Sequence, residues 1–361
     1  MTKLRVGLLF GGRSVEHEVS ISSATSIARA LDPSRYDVCL IGVDHDGRWH
    51  LAPGTLPTRD GIEGPLVHLS GTPGERDLVD ASGGVVVAGL DLIFPIVHGR
   101  GGEDGMLQGL LELVELPYVG SGVLGSALQM DKEVGKRLLV SAGLPVLPYR
   151  CVRRNAFDDD PAGCTRRLLE ALPLPLFVKP ANGGSSVGIH RVATGADLLP
   201  ALRDAFRYDR KLVVEQGIAA RDVEVALLGN DPVEASVAGE IRTAHEFYDY
   251  EAKYVDEATE LLVPAPVSDA AAERMRDLAV RAFAALEGRG LGRVDFLVDR
   301  ESEEVWLNEV NSLPGFTDVS MYPRLWEASG LPYPALLDRL IELALEDHRE
   351  RSTLETQYRT S

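Results

Sequence analysis

The chain has 361 residues, with 55 Asp and Glu against 37 Lys and Arg, for a formal net charge of −18. An apolar fraction of 45% with 25% charged residues excludes wholesale disorder. The acidic balance excludes broad gripping of nucleic acid or anionic lipid, which rests on clustered Lys and Arg.

Three cysteines, Cys39, Cys151 and Cys164, lie far apart without CxxC spacing and suggest neither a disulfide framework nor a zinc site. No stretch reaches the roughly 18 apolar residues of a membrane span, because the best, 85–97, is broken by Asp91 and Pro95. The apolar run 6–10 is too short for a secretory signal, so the expectation is a cytoplasmic protein. Only six lysines occur: Lys3, Lys132, Lys136, Lys179, Lys211 and Lys253. Where surface cations have drifted to arginine, the remaining lysines concentrate at places that need a compact ammonium.

Residues 4–10 read as a buried strand, followed by a glycine turn and a helix over 14–31 with Ala24, Ile27, Ala28 and Leu31 at helical spacing. Ser14 is the expected N-cap, with Glu16 and Glu18 in the first turn. Strands follow at 38–43 and 90–97, so about 1–125 forms an open, mostly parallel α/β sheet. The Gly- and Pro-rich stretch 53–84 reads as loop and short edge structure. His98 ends the strand 90–97 at a glycine-rich loop, on the sheet edge where ligands bind in such folds.

From about 126 a second organisation begins. Asp131 caps a helix to Ser141, stopped by Gly143 and Pro145. Strands at 176–179, 212–215, 224–228, 293–298 and 304–310 alternate with helices at 197–207, 269–287 and 334–347, an α+β pattern. The end of the chain, 348–361, is polar and aperiodic and reads as a frayed tail.

Three segments carry chemistry. Lys179-Pro180-Ala181-Asn182-Gly183-Gly184-Ser185-Ser186-Val187-Gly188 follows a strand and can wrap backbone N–H groups around phosphate oxygens while the lysine supplies a point charge. A plain glycine turn would look alike, and the segment matches neither GxxxxGK[ST] nor GxGxxG. A hairpin closing around Ser302 places Asp295 opposite Glu309 and Arg293 opposite Asn311, all on one face, with opposed Cβ atoms about 5 Å apart. Two facing carboxylates and an amide are hard oxygen donors suited to Mg²⁺ carried on phosphates. The apolar neighbours Phe296, Leu297, Val305 and Leu307 argue against the alternative, a solvated hairpin with an Arg salt bridge. Finally, Phe247, Tyr248, Tyr250 and Tyr254 crowd into one charged, non-periodic segment, as expected of a loop that folds over something.

Taken in order, the segments Gly11-Gly12-Arg13-Ser14-Val15-Glu16-His17-Glu18-Val19-Ser20, His98-Gly99-Arg100-Gly101-Gly102-Glu103-Asp104-Gly105, Gly120-Ser121-Gly122, Met130-Asp131-Lys132, 179–188, 247–254 and 308–317 resemble the D-alanine–D-alanine ligases of the ATP-grasp superfamily. The resemblance spans about 4–345. It implies a three-domain ligase: an N-terminal α/β substrate domain (1–125), a central domain (126–222) and a C-terminal domain (223–347) with a mobile loop at 242–260. ATP would lie between the last two.

By the same resemblance, Lys132, Lys179, Gly184, Ser185, Ser186 and Lys253 would contact ATP phosphates. Glu215, Gln216, Gly217 and Ile218 would line the adenine, and Glu224 would hold the ribose. Gln216 stands where some relatives carry lysine, a tolerated change since backbone can make that contact. Asp295, Glu309 and Asn311 look like ligands of two Mg²⁺ ions, with Mn²⁺ as a substitute and K⁺ as a candidate monovalent ion. Glu16 matches the partner of the first D-alanine's ammonium, supported by Ser185 and Tyr254. Arg293 and the Gly315 N–H would stabilise the oxyanion; His98, Lys253, Ser320 and Met321 would bind substrate. The implied partners are D-alanine, ATP and a second copy of the chain in a homodimer, with no nucleic acid and no membrane.

Competing readings differ in particular residues. Ligases joining D-alanine to D-lactate or D-serine share the fold, but Tyr250-Glu251-Ala252-Lys253-Tyr254 keeps the pattern of the dipeptide formers. A glutathione-type ligase would lack the Glu16 and His98 segments. A nicotinamide-dependent oxidoreductase is opposed by Gly11-Gly12-Arg13-Ser14, which fails GxGxxG, and a non-catalytic sensor by the retention of Arg293 and every metal candidate.

Overall fold

The computed structural model describes residues 3–52, 54, 62–87, 89–242, 260–317 and 319–355. In chain order, β1 (Leu4–Gly11), α1 (His17–Ala30), β2 (Tyr36–Val43) and β3 (Trp49–Leu51) precede three short strands, β4 (Val67–Leu69), β5 (Leu78–Asp80) and β6 (Val85–Val87). Then come β7 (Leu92–Pro95), α2 (Met106–Leu113), α3 (Val123–Met130) and α4 (Lys132–Ser141). The middle comprises β8 (Tyr149–Arg153), α5 (Arg154–Asp159), α6 (Pro161–Ala171), β9 (Leu176–Pro180), β10 (His190–Val192), α7 (Gly195–Ala205) and β11 (Lys211–Gln216). The last part holds β12 (Ala220–Leu228), β13 (Glu234–Arg242), β14 (Glu260–Leu262), α8 (Asp269–Ala285), β15 (Leu291–Asp299), β16 (Val305–Asn311), α9 (Met321–Ala328) and α10 (Tyr333–Ser352).

The first sheet has the order β3-β2-β1-β7, with β1 parallel to both β2 and β7 and β3 antiparallel at the edge. Val6, Leu8, Leu9 and Phe10 are all fully buried, as a central parallel strand covered on both faces requires. The stretch expected to be loop and edge structure contains β4 and β5 of a separate three-stranded sheet. The middle sheet, β10-β9-β11-β8, and the last, β14-β13-β12-β15-β16, are antiparallel.

Two local expectations are corrected. Ser14 is not the N-cap of α1; that position is Glu16, and the Ser14 hydroxyl instead accepts the Glu16 N–H at 3.1 Å. The end of the chain does not fray from His348, because α10 continues to Ser352 and Arg351 Nη1 lies 3.1 Å from Glu112 Oε1. That long-range ion pair is invisible to a periodicity argument. Asp131 does cap α4, accepting the Val134 N–H at 3.1 Å.

Packing cuts across the sheets. One core joins Val6, Leu8, Phe10 and Ile27 of the first sheet layer to Leu325, Leu336, Leu340 and Ile341 of α9 and α10. The middle sheet has a core of its own, with Val178, Val214, Leu202 and Phe206. Leu139 and Leu144, of α4 and the turn after it, join Phe283, Val294 and Leu307 in the core of the last sheet. The first and last sheets are thus bound into one apolar body, while the middle sheet meets the last mainly through polar and charged side chains. The functional site lies along that seam. Among the described residues, no helix is long and apolar enough to cross a membrane.

Candidate active site

A cavity of about 180 Å³ receives side chains from all three large sheets. Glu16 and His98 come from the first, Gly184 to Ser186 from the middle, Lys132 from the start of α4, and Glu224, Arg293, Glu309, Asn311, Gly315, Ser320 and Met321 from the last part of the chain. Residues up to 305 positions apart therefore share one wall.

Glu16 reaches the cavity because the chain turns sharply after β1. Gly11 and Gly12 have φ of +89° and +109°, and a Cβ on Gly11 would stand 2.2 Å from the Val43 carbonyl oxygen, so a side chain is excluded there. The Glu16 carbonyl accepts the Ser20 N–H at 2.9 Å. Its carboxylate accepts the Ser185 hydroxyl, a contact joining α1 to the loop after β9. Ser185 and Ser186 have φ of +46° and +60°, costly for residues with a Cβ. A Cβ on Gly184 would lie 2.8 Å from Glu16 Oε2, so a side chain there would displace the Glu16 carboxylate.

His98 is buried beside Glu16, with Nδ1 3.1 Å from Glu103 Oε1. Burial pulls its pKa down, but the Glu103 carboxylate and then Glu16 outweigh that and raise it. Glu103 is itself pushed up by burial, with the Glu16 charge adding to the effect against the opposing pull of His98. This end of the cavity is rich in carboxylates and suited to an ammonium.

The hairpin forms as its spacing predicts, Arg293 opposite Asn311 and Asp295 opposite Glu309. Beyond Asp295 the register slips: Phe296 pairs with Leu307, leaving Asn308 as a bulge. A bulge re-aims side chains, and here it presents Asn308 to two lysines: Oδ1 accepts from Lys179 Nζ and the carbonyl from Lys136 Nζ, each at 3.1 Å. Asp295 stands behind the cavity wall, held by Arg293 through Nε at 2.7 Å and Nη2 at 2.8 Å and by Asn311 Nδ2 at 2.9 Å. Arg293 Nε also lies 3.1 Å from Glu224 Oε2. Glu309 Oε2 pairs with Lys132 Nζ at 3.0 Å, which donates as well to the Gly183 carbonyl at 2.7 Å. The Arg salt bridge once posed as the alternative is present, but on a hairpin whose other face is core.

Lys179 and Glu215 form an ion pair behind the wall, and Lys136 Nζ lies 2.9 Å from the second Glu215 oxygen. Glu215 is 1% exposed. Burial raises its pKa, yet Lys136 and then Lys179 overcome this and bring it to about 2. Gln216 ends β11, and the Gly217 N–H donates to the Pro175 carbonyl at 2.7 Å; neither they nor Ile218 lines the cavity. Gly315 packs against Ser320, whose Oγ accepts the Thr317 N–H at 3.0 Å at the start of α9. Lys253 and Tyr254 lie outside the described residues.

Three residues around this cavity were not candidates from sequence: Lys136, Asn308 and Glu103. Lys136 sits one helical turn after Lys132, a spacing that puts both on one face of α4, and its scarcity as a lysine was a usable signal. Asn308 could not be found, because strand alternation points it away from Glu309 and only the bulge reverses that.

Sequence models of the N-terminal and C-terminal parts of D-Ala-D-Ala ligases match residues 5–121 and 138–342. The chain belongs to the D-alanine–D-alanine ligase family. It is 48% identical to D-alanine–D-alanine ligase A of Bradyrhizobium diazoefficiens over 99% of both chains. The solved D-alanine-D-alanine ligase of Coxiella burnetii superposes with a TM-score of 0.86 at 37% identity, covering 98% of this chain and 97% of that one. The D-Ala:D-Ser ligase VanG of Enterococcus faecalis superposes at 0.85 with 32% identity, over 95% and 100%. The chain therefore has the ATP-grasp fold of an ATP-dependent ligase, a family that works with ATP and a divalent metal.

Among the described residues no group of three or more His, Cys, Asp or Glu side chains is arranged to hold a metal ion. The hairpin face instead offers two carboxylates and one amide. That set fits a hard cation arriving on phosphate, because oxygen donors suit Mg²⁺ and few protein ligands are needed when phosphates supply the rest.

Proposed function

We propose that this enzyme joins two D-alanine molecules into D-alanyl-D-alanine for peptidoglycan precursor synthesis, converting ATP to ADP and phosphate. The observation that carries the reading is the polarity of the cavity: carboxylates of Glu16 and Glu103 at one end, and Lys132, Arg293 and the hairpin at the other. A D-alanine zwitterion lies along that axis with its ammonium at Glu16 and its carboxylate toward the nucleotide.

The carboxylate attacks the γ-phosphorus of ATP, giving D-alanyl phosphate and ADP. The amine of the second D-alanine, after losing a proton, attacks the acyl carbon, and phosphate leaves. Lys132 and Lys179 neutralise phosphate charge together with backbone N–H groups of Gly184, Ser185 and Ser186, without which two anions would not meet. Asp295, Glu309 and Asn311 would hold two Mg²⁺ ions, or Mn²⁺, which supply Lewis-acid neutralisation of the phosphates. Arg293 and the Gly315 N–H face the developing oxyanion, a role worth about 3–4 kcal/mol per donor. Ser185 fixes the Glu16 carboxylate, with Tyr254 as a further partner, and His98 orients substrate beside Glu16. Ser320 and Met321, at the start of α9, receive the second D-alanine, with Lys253 as a further partner. Glu215 to Ile218 line the adenine and Glu224 holds the ribose, between a central domain (126–222) and a C-terminal domain (223–347). A cytoplasmic homodimer with K⁺ as an activating ion completes the reading.

Phosphate release with D-alanine, L-alanine and D-lactate offered separately, and with D-alanine paired with D-lactate or D-serine, followed by product identification, tests it. D-alanyl-D-alanine as the main product is expected; release with D-alanine only when D-lactate or D-serine is also present would overturn the dipeptide assignment.

A further inference from the structure

Four of the six lysines, Lys132, Lys136, Lys179 and Lys211, gather at the seam between the middle and last sheets, with side chains no more than 11% exposed. Lys211 is matched by Asp131 and Glu133, and Lys132 by Glu309. The other two are not matched one to one. Lys136 and Lys179 share a single carboxylate, Glu215, each taking one of its oxygens. Both also bind Asn308, Lys136 at the carbonyl and Lys179 at Oδ1. Neither lines the cavity, and Lys136 is the deeper, 3% exposed against 8% for Lys179.

A buried carboxylate deprived of its cation is strongly disfavoured. If Lys179 turns toward ATP phosphates, as in the function proposed above on which this inference rests, it must loosen its hold on Glu215. We propose that Lys136 is a positioning residue for nucleotide binding: the standing counter-ion of Glu215, which leaves Lys179 free to engage phosphate. The duplication of cations on one acid then has a use, one lysine remaining while the other exchanges partners.

A double-mutant cycle of Lys136→Met and Glu215→Gln tests this. In Lys136→Met, an apolar side chain of similar length, the KM for ATP with saturating Mg²⁺ should rise about tenfold or more while the D-alanine KM values stay within about twofold. Once Glu215 is neutral, Lys136 has no charge to balance. The double variant should therefore match the Glu215→Gln single variant within about threefold in ATP KM. An unchanged ATP KM in Lys136→Met, or a further rise of about tenfold from Glu215→Gln to the double variant, would overturn the inference. Should Lys136→Met fail to fold, the comparison of the double variant with Glu215→Gln still decides, with the thermal shift produced by ADP and Mg²⁺ as a second readout. Loss of D-alanine-dependent phosphate release in the wild type would instead refute the function itself.

Discussion

The two ends of the cavity are built on opposite electrostatic plans. At the Glu16 end three carboxyl and imidazole groups, Glu16, Glu103 and His98, crowd together with one hydroxyl, Ser185, as an added donor. Acid is in excess there and waits for a cation. At the hairpin end Asp295 faces Arg293, Glu309 faces Lys132, and Glu215 lies between Lys136 and Lys179. Each acid there already carries at least one cation, so the arriving phosphates meet a balanced network whose cations can change partners. A zwitterion finds its ammonium partner at a site with unspent acid, whereas a triphosphate finds cations kept in place by resident acids.

Breaking the balanced end should have the largest effect. Glu309→Gln keeps the shape of the side chain but removes half of the facing carboxylate pair, so turnover should fall by about a thousandfold or more with an unchanged circular dichroism spectrum. Near wild-type phosphate release at moderate Mg²⁺ would mean that the hairpin holds no metal. Arg293→Lys should follow, losing about a hundredfold or more in kcat, because an ammonium cannot reproduce the two-pronged grip on Asp295 while facing an oxyanion. A purely structural Arg293 would instead lower the melting temperature and spare kcat.

At the acid-rich end the expected loss is smaller and confined to one substrate. Glu16→Gln should raise the KM for the first D-alanine by about tenfold to a hundredfold, the loss of a charge-assisted partner worth about 1.5–3 kcal/mol, with the ATP KM unaltered. A defect restricted to ATP would assign Glu16 to the wrong end. The same geometry, with Glu16 at the ammonium and Arg293 and Gly315 at the carboxyl, leaves one direction for the methyl group, so L-alanine should fail as first substrate.

The smallest effect concerns stability against pH. Because Lys136 and Lys179 bring Glu215 from 4.5 to about 2, its ionisation stabilises the fold fully above pH 4.5, and that contribution is lost as pH falls toward 2. Glu215→Gln should therefore be less stable than wild type at neutral pH, and the difference should narrow below pH 4.5. Melting temperatures across that range check it; a constant gap would mean that the carboxylate is not held ionised by its neighbours.

Much of this was legible from local pattern. Strand alternation placed Asp295, Glu309, Arg293 and Asn311 on one hairpin face, and the pairing found in the structure is the same at those positions. The buried run of β1, the Asp131 cap and the turn at Gly11-Gly12 follow from periods and conformational preferences acting over a few residues. The scarcity of lysine was informative too, since four of the six proved to be buried at one seam.

Other features belong to the tertiary structure alone. The contact between Ser185 and Glu16, the ion pair of Lys136 with Glu215, and the joining of α10 to the first sheet's core connect segments 79 or more residues apart. No periodicity reports on such distances. The Asn308 bulge is the clearest case: alternation sends that side chain to the core face, and one extra residue in the ladder brings it to Lys179, while the Asn308 carbonyl accepts from Lys136. Sequence determined which residues could share a strand face or cap a helix, because those rules act along the chain. Which buried acid each lysine neutralises was decided only by packing, because charges in a low-dielectric seam pair through space with whatever the fold brings within about 3 Å.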